Sequence, residues 1–328
     1  MTGSFRVLSR EDVSKSLSMD EAIDLMCEAF AQLSCGDAVV PVRHTMELPQ
    51  EEARVLVMPA YLARNRKIGI KLVSIMDRNP AHGLPYIQAS LMLLDGQSGQ
   101  LLALMDGELL TAIRTGAASG LATRLLARED AQVVAIIGAG VQGRFQLEAV
   151  CEVRPIERAI IFNRNRPKAE QFVDEMNRAL AAEVTVASHA GQLAEADIVC
   201  AATTATSPIF DSRHLKVGVH INAVGAYKAN MCEIPPETVA AARLVVDHRA
   251  SCLLEAGDVV QAIEAGIIDA SHIYAEIGEV AAGSVPARES HTEITLFKSV
   301  GNAVQDLAAA SRALQNAEKL GLGTRVQL

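Results

Sequence analysis

The chain has 328 residues, which is long enough for two domains. Half of the residues are hydrophobic, yet only 3% are aromatic and tryptophan is absent, so Ala, Val, Ile and Leu must form the core, as is typical of an α/β protein with parallel strands. The formal net charge of −9 argues against a nucleic-acid or anionic-membrane partner.

Signals for export, membrane insertion and metal binding are missing from the sequence. Residues 1–6 contain no apolar signal region, and no apolar run reaches the roughly 18 residues of a membrane span. The six cysteines form no C-x-x-C pair, and several lie in apolar surroundings, as Cys200 does, so we interpret them as buried reduced thiols. The eight histidines show no metal-ligand spacing. We therefore predict a cytoplasmic protein that binds no metal, no nucleic acid and no membrane.

The first part of the chain predicts a helix followed by several strands. Residues 18–21 have the pattern of a capping box, and they open a helix with an apolar face that includes Ile23, Met26 and Phe30. A helix rich in small residues, which permits very close packing, is predicted from 115 onwards. Between the two helices, β-like runs at 54–58, 67–73, 89–94 and 101–105 are separated by turn signals at 95–99 and 106–107.

Three cations in this first part lie among apolar or small neighbours. Lys71 is inside the strand 67–73, Arg43 follows an apolar stretch, and Arg114 directly precedes the predicted N-terminus of the small-residue helix. A cation in such a place is costly unless it is paired or faces a ligand. Together the three would suit a carboxylate substrate, which arginine holds in bidentate fashion. Spacing alone does not separate this role from exposed edge positions or structural ion pairs.

The run from 133 to 143 carries the most specific motif of the chain. Five apolar residues at 133–137 predict a buried strand, Gly138, Gly140 and Gly143 give G-x-G-x-x-G, and a helix continues from there. In the dinucleotide fingerprint the first Gly makes the tight turn, the second lets the backbone approach a pyrophosphate, and the third lets helix pack on strand. The motif therefore predicts a dinucleotide site, with another domain ahead of it.

The residues after the next predicted strand, 159–162, indicate which dinucleotide is bound. An NAD site typically has a carboxylate at the end of this strand, about 20 residues after the glycines, which binds the ribose hydroxyls. The sequence has Asn163, Arg164 and Arg166 there instead. An arginine pair can hold a 2′-phosphate and stack on adenine. We therefore predict NADPH as the cofactor, with NADH weaker; the alternative is a solvated basic turn.

The second part of the chain alternates strands and helices, which predicts a Rossmann-type doubly wound parallel sheet. Six strands are the count for a full dinucleotide domain. After about residue 300 an amphipathic helix with Val304 and Leu307 is too short to be a domain, so we expect it to pack on the first part. The predicted strands of the sheet are 133–137, 159–162, 183–187, 198–202, 218–224 and 243–247.

Five motifs, in this order along the chain, resemble the ornithine cyclodeaminase/mu-crystallin family. They are the segments at 18–22, 114–118, 137–142, 220–225 and 297–301. The resemblance covers essentially the whole chain. It implies a homodimer built through the first domain and an active site between two domains. The expected domains are a discontinuous α+β substrate-binding and dimerisation domain, 1–123 with 300–328, and a dinucleotide-binding domain, 124–299.

The resemblance also implies roles for individual residues. Arg43, Lys71 and Arg114 would bind the substrate carboxylate, Lys71 and Arg114 would be catalytic, and the loop 297–301 would lie near the nicotinamide. The residues predicted to bind the cofactor are Gly138, Ala139, Gly140, Val141, Gln142, Asn163, Arg164, Arg166, Thr203, Val224, Ser299 and Gly301.

One departure from the family pattern bears on the reaction. Ornithine cyclodeaminases follow Asn-Ala-Val-Gly with Gly-Asp, and that aspartate handles the amine during deamination. Here Gly225 is followed by Ala226, Tyr227 and Lys228, as in the ketimine reductases and mu-crystallins of the family. We therefore predict an NADPH-preferring reductase of Δ1-pyrroline-2-carboxylate, with Δ1-piperideine-2-carboxylate as a further candidate substrate, forming L-proline and L-pipecolate. The proton donor to the ring nitrogen is left open between Lys71 and a water.

Three alternatives stay open at this point. An alanine or N-alkyl amino-acid dehydrogenase would use the same scaffold on an open-chain imine. An ornithine cyclodeaminase is the second alternative, and it requires that Asp258 or Glu255 substitutes for the missing carboxylate. A mu-crystallin-like protein would bind NADPH and a small molecule without turnover, although the three cations argue against pure binding.

Overall fold

The computed structural model describes residues 4–327, apart from the side chain of Pro80. Residues 1–3 and 328, which belong to the predicted first domain, lie outside the described residues. The chain divides into two compact units, one formed by the chain up to Arg114 together with Asn302 and beyond, the other by Thr115–Gly301. The predicted domain boundaries near 123 and 300 remain a prediction.

The four predicted β-like runs of the first part are confirmed as β4 to β7. The element boundaries also correct the predicted helix start at 115, because α3 begins at Gly107 and Arg114 lies inside it. The Asp106 carboxylate accepts the Leu109 N–H at 2.8 Å, so the residue interpreted as a turn caps this helix. The elements are β1 (Ser4–Leu8), α1 (Arg10–Ser16), α2 (Met19–Ser34), β2 (Ala38–Val39), β3 (His44–Leu48), β4 (Ala53–Leu62), β5 (Lys67–Met76), β6 (Ile87–Asp95), β7 (Leu101–Asp106) and α3 (Gly107–Leu126).

The predicted capping box at 18–21 is wrong, although Ser18 is the N-cap residue of α2. Its hydroxyl makes no capping bond and donates to the Asp20 carboxylate. Glu21, the expected partner, is drawn away by the last long helix of the chain, where Arg312 and Asn316 donate to it at 2.5 and 2.8 Å. A charged partner outcompetes the backbone amide for this carboxylate.

The second unit confirms the doubly wound sheet. In the described chain its strand order is β10-β9-β8-β11-β12-β15-β13-β14, with every pair parallel. The order reverses between β8 and β11, which is where sheets of this type bind dinucleotides. The elements are β8 (Val133–Ile137), α4 (Val141–Val153), β9 (Arg158–Phe162), α5 (Arg166–Ala179), β10 (Glu183–Val186), β11 (Ile198–Ala201), β12 (His220–Ala223), α6 (Pro236–Ala241), β13 (Arg243–Val246), α7 (Arg249–Glu255), α8 (Gly257–Glu264), β14 (Ile273–Glu276), α9 (Ile277–Ala281) and β15 (Thr295–Lys298).

The predicted strand count of six is too low for this sheet, since β14 and β15 extend it. Both have only four residues, and β15 ends in a lysine that is fully buried. An apolar pattern does not predict such a strand, because it contains a lysine. Lys298 can be buried because its ammonium pairs with the Asp258 carboxylate at 2.7 Å. Tertiary pairing therefore overrides the local pattern here.

The last helix, α10 (Ala303–Leu320), followed by β16 (Thr324–Gln327), packs on the first unit as predicted. The first sheet has the order β16-β1-β7-β6-β5-β4-β2, with β3 beside β4. At Gly69 in β5, a Cβ atom would come within 3.1 Å of the Leu307 Cβ. The missing side chain thus lets α10 lie directly on β5, and the residue before Leu307, Asp306, reaches Lys71.

Candidate active site

A buried cluster of charges lies under the N-terminal turn of α10. The Asp306 carboxylate forms two ion pairs. Its Oδ2 lies 2.8 Å from the Lys71 Nζ, and its Oδ1 lies 3.0 Å from the Arg114 Nε. All three side chains are almost completely buried. Two cations therefore share one carboxylate, and the cluster keeps an excess of positive charge.

Burial and neighbouring charge shift the protonation of this cluster. Burial lowers the pKa of Lys71 to about 8, with Asp306 opposing the shift and the charges of Arg114 and Arg43 adding to it. For Asp306, burial alone would raise the pKa, but Arg114 and Lys71 outweigh it and hold the pKa below its usual value. Lys71 is thus an unusually acidic ammonium that is charged at neutral pH.

The start of α10 fixes the position of Asp306 and Arg114. Asn302 caps the helix, accepting the Val304 N–H at 3.1 Å, while its own N–H donates to Gln305 Oε1 at 2.7 Å. The same Gln305 oxygen accepts Arg114 Nη1 at 3.0 Å. One capping box therefore orients the guanidinium as well as the helix.

Of the three predicted substrate cations, the structure brings Lys71 and Arg114 together. Arg43 lies half-buried between β2 and β3, close enough for its charge to act on the pKa of Lys71. Lys71 itself lies in the middle of β5, opposite Met58 and Leu91, on the sheet face that α10 covers.

Sequence reasoning missed Asp306, the anion that makes this cluster tolerable. The signal was present, since the acid lies between the apolar residues Val304 and Leu307 on the buried face of an amphipathic helix. A carboxylate on such a face needs a partner. The pattern cannot say that the partners come from residues 71 and 114.

The glycine-rich motif adopts the geometry of a dinucleotide cradle. Gly138 has φ +114°, which favours glycine, and a Cβ on Gly143 would lie 2.0 Å from the Gly138 carbonyl oxygen. A Cβ on Gly140 would meet nothing within 4 Å, so the backbone is open there. No described side chain caps α4, and its first turn contains no acid, so its N–H groups and positive dipole end suit a phosphate.

Two further residues of this cradle are placed at the start of α4. Val141 is exposed, and the Gln142 Oε1 is buried without a hydrogen-bond partner among residues 4–327. An unsatisfied buried oxygen of this kind is expected where a ligand donates. Both observations fit a bound dinucleotide.

Of the three predicted cofactor residues after β9, one makes a hydrogen bond to the glycine motif and the other two are exposed. Asn163 Oδ1 accepts the Ala139 N–H at 3.3 Å and so ties this loop to the glycine motif. Arg164 and Arg166 are exposed, and Arg166 forms an ion pair with Glu170 at 2.9 Å. The two guanidinium groups are thus presented to solvent at the carboxyl end of β9.

The remaining predicted cofactor residues follow β11, β12 and β15. Thr203 and Val224 are half-buried, whereas Ser299 and Gly301 are buried. All four come directly after parallel strands of one sheet, at the edge where ligands of doubly wound folds bind. The Thr203 N–H donates to the buried carboxylate of Glu233, and the Ser299 hydroxyl and the Gly301 N–H donate to that of Asp247.

Asp258, one of the two carboxylates considered as substitutes for the one missing at Tyr227, is engaged within the core. Asp258 is fully buried, accepts the N–H groups of Glu233 and Ile234 at 2.6 and 3.0 Å, and pairs with Lys298 at 2.7 Å. Both of its oxygens are therefore occupied. Tyr227 packs partly against the core, with the Lys228 ammonium 5.8 Å from its ring centre.

Comparisons with known proteins agree over the whole chain. The family model "Ornithine cyclodeaminase/mu-crystallin family" matches residues 5–320. A Δ1-pyrroline-2-carboxylate reductase of Bacillus cereus (strain ZK / E33L) is 37% identical over 323 residues, which cover 98% of this chain and 99% of that protein. No helix within residues 4–327 has the length and apolar character to cross a bilayer.

Two solved structures share the complete fold. The Δ1-pyrroline-2-carboxylate reductase of Thermococcus litoralis, in complex with NADH and L-proline, has a TM-score of 0.94 at 42% identity and covers 98% of this chain and 100% of that chain. An archaeal alanine dehydrogenase dimer with bound NAD has a TM-score of 0.93 at 33% identity and covers 99% of both chains. The chain belongs to the ornithine cyclodeaminase/mu-crystallin family.

Proposed function

We propose that this member of the ornithine cyclodeaminase/mu-crystallin family reduces a cyclic ketimine carboxylate, Δ1-pyrroline-2-carboxylate, to L-proline, with Δ1-piperideine-2-carboxylate as a further substrate. The observation that carries the proposal is the pair of buried cations, Lys71 and Arg114, that share the single carboxylate of Asp306. Their excess positive charge suits a substrate carboxylate. The named relatives in Bacillus cereus and Thermococcus litoralis support the same reaction.

The residues of the second unit fit a nicotinamide dinucleotide. The open backbone at Gly140 and the uncapped α4 would take the pyrophosphate, and the buried Gln142 Oε1 would accept from the ligand. When bound, the cofactor supplies a hydride to C2 of the substrate C=N bond. NADH and NAD in the two solved relatives support this class of cofactor.

Lys71 and Arg114 would divide the remaining work. The Arg114 guanidinium, oriented by Asp306 and Gln305, binds the substrate carboxylate, with Arg43 adding positive charge. The ring nitrogen must gain a proton as C2 is reduced. Lys71, whose pKa of about 8 lies near neutrality, is suited to donate it, and burial then stabilises its neutral form. A water is the alternative donor.

The reductase activity can be tested directly by following NADPH oxidation. We expect Δ1-pyrroline-2-carboxylate to be reduced faster than either pyruvate with ammonia or pyruvate with methylamine, which report the open-chain alternatives. L-Ornithine with NAD⁺ should give no useful proline, because Tyr227 stands where the family's cyclodeaminases have a carboxylate, and general-base assistance is worth about 10²–10⁴-fold. Asp258, one of the two possible substitutes, is paired with Lys298.

Each competing function predicts a different outcome of the same assay. Faster turnover of an open-chain imine would favour an amino-acid dehydrogenase. Proline and ammonia formed from ornithine at a comparable rate would overturn the reductase assignment. NADPH binding without turnover of any imine would favour a binding protein like some mu-crystallins.

We propose that the enzyme prefers NADPH over NADH, because Arg164 and Arg166 are exposed at the carboxyl end of β9 where NAD sites have a carboxylate. Charge-assisted hydrogen bonds of about 1.5–3 kcal/mol correspond to roughly 10- to 150-fold in affinity. Arg164→Ala should remove most of this preference. Titration of both cofactors checks this, and equal affinities in the wild type would contradict it.

Titration of Lys71 should make the pH profile of kcat/KM fall on its alkaline side. Because only its protonated form is a cation and a proton donor, kcat/KM should fall as the pH rises through about 8. Lys71→Arg, which stays charged, should shift this fall to higher pH. An unchanged pH profile in that variant would assign the titration to another group, such as the substrate iminium.

The lowered pKa of Lys71 affects stability in the opposite direction to activity: activity should fall as the pH rises, whereas stability should increase. The unfolded chain holds the Lys71 proton more tightly than the folded one, since its ordinary pKa is 10.5. Between about pH 8 and 10.5 unfolding therefore takes up a proton, and this group makes the protein more stable as the pH rises.

We propose that the protein is a homodimer that uses the outer face of the first sheet. Met46, Leu72 and Met92 lie on the same sheet face by register, opposite to the face covered by α10, and are 52%, 45% and 37% exposed. Apolar surface of this kind marks an association site. The dimer of the archaeal alanine dehydrogenase supports the proposal.

A further inference from the structure

The carboxylate of Glu233 joins the loops that follow two neighbouring strands. Its Oε1 accepts the Thr203 N–H at 2.6 Å after β11, and its Oε2 accepts the N–H groups of Gly225 and Ala226 at 2.8 and 3.0 Å after β12. The side chain is fully buried. A Cβ on Gly225 would lie 2.4 Å from Oε1, so the carboxylate fits closely against this backbone.

A second buried carboxylate, Asp247, holds the loop after the next strand, β15. Its Oδ2 accepts the Ser299 hydroxyl at 2.7 Å and the N–H groups of Val300 and Gly301 at 3.0 and 2.8 Å. Its Oδ1 accepts the His248 N–H at 2.8 Å and contacts the Cys252 thiol at 3.2 Å. Both oxygens are therefore committed to the protein itself.

An ion pair connects the two carboxylates through the core. Asp258 accepts the backbone N–H of Glu233 and pairs with Lys298, and the residue after Lys298 is Ser299, which Asp247 holds. Lys298 and Asp258 are fully buried, and the low dielectric of the interior strengthens the attraction between their charges. The loops after β11, β12 and β15 thus belong to one continuous network of buried charges.

We infer that Glu233 and Asp247 are positioning residues that hold the nicotinamide half of the cofactor in place. This inference rests on the proposed function. In the sheet order, β9 lies on one side of the glycine motif, where the adenosine half is expected, and β11, β12 and β15 lie on the other. The loops held by the two carboxylates contain Thr203, Val224, Ser299 and Gly301, all predicted cofactor residues.

The two carboxylates act on backbone geometry and do not contact the reacting atoms. Glu233 accepts three charge-assisted hydrogen bonds from two loops on both of its oxygens, and Asp247 accepts three from one loop on a single oxygen. Replacing Glu233 by glutamine sets an NH₂ group against a loop N–H in either orientation of the amide, and replacing Asp247 by alanine removes the acceptor of all three loop hydrogen bonds. At least one loop must then move, and small displacements of this kind reduce hydride-transfer rates.

The experiment compares intact NADPH with a fragment that lacks nicotinamide. We expect Glu233→Gln and Asp247→Ala to raise the Kd for NADPH by about tenfold or more, while the Kd for 2′-phospho-ADP-ribose stays within about twofold of the wild type. The single-turnover rate of imine reduction should fall as well. Glu237→Gln, an exposed residue at the start of α6, is the matched control and should change none of these values.

A general loss of structure would weaken both ligands equally, so the ratio of the two Kd values separates positioning from stability. Variants that keep the wild-type ratio would overturn the inference and leave the proposed function intact. A wild type that binds neither ligand would overturn the proposed function and the inference with it.

A measurement on the wild type covers the case in which a variant does not fold. By hydrogen exchange without cofactor, the amides of Thr203, Gly225, Ala226 and Gly301 should be protected, because each donates to a buried carboxylate. Exchange at the rate of solvent-exposed loop amides would overturn the inference.

Discussion

Asp306→Asn should lower the free energy of unfolding by about 3–5 kcal/mol, because breaking a buried ion pair from one side leaves uncompensated buried charge. Lys71 and Arg114 both lose their anionic partner in this variant, and both are almost fully buried. Since typical stabilities are only about 5–15 kcal/mol, the loss is a large share of the total. Denaturant unfolding at pH 7 measures it.

The matched control is Glu318→Gln, an exposed carboxylate on the same helix, which should change stability by less than about 0.5 kcal/mol. Part of the loss in Asp306→Asn should be recovered as the pH rises, since Asp306 holds the pKa of Lys71 up and without it the buried ammonium loses its proton more readily. A change no larger than that of the control would show that the two cations do not depend on Asp306.

Arg114→Ala should lower kcat/KM for the ketimine by about 150- to 5000-fold, which corresponds to about 3–5 kcal/mol for one side of a buried charge pair. The substrate carboxylate loses its bidentate partner, and Asp306 keeps only Lys71. The Kd for NADPH should hardly move, because the predicted cofactor residues lie in the other unit of the chain. Steady-state kinetics and cofactor titration together check both statements.

Arg124→Ala, at an exposed position near the other end of α3, controls for loss of an arginine from this helix. It should retain near-wild-type kinetics. If Arg114→Ala also turns over the ketimine at a near-wild-type rate, Arg114 is a structural residue, and the carboxylate must bind elsewhere.

Local patterns predicted some elements and misplaced others for definite reasons. The helix predicted at 115 starts at Gly107, because Asp106 caps it and does not form a turn. The short strand β15 was hidden by the charge of Lys298, which the Asp258 carboxylate neutralises in the core. The first case is a local capping bond that the turn signal concealed, whereas the second depends on a partner 40 residues away in the chain.

The dinucleotide motif is the part of the protein that the sequence determined by itself. The strand β8, the turn at Gly138 and the helix α4 are consecutive, so their geometry follows from local rules of backbone conformation and close approach. The exposed arginines after β9 likewise follow the strand directly. Neighbouring residues suffice for these features because the interactions involved are local in the chain.

Only the tertiary structure decided which charges meet. Lys71 and Arg114 were visible as cations among apolar neighbours, but Asp306 reaches them because α10 returns from the far end of the chain to lie on β5 at Gly69. Glu233 and Asp247 likewise bind loops of strands that become neighbours only when the sheet forms. A buried charge is stable only beside its partner, and the partner is set by topology, to which the spacing of residues along the chain gives no access.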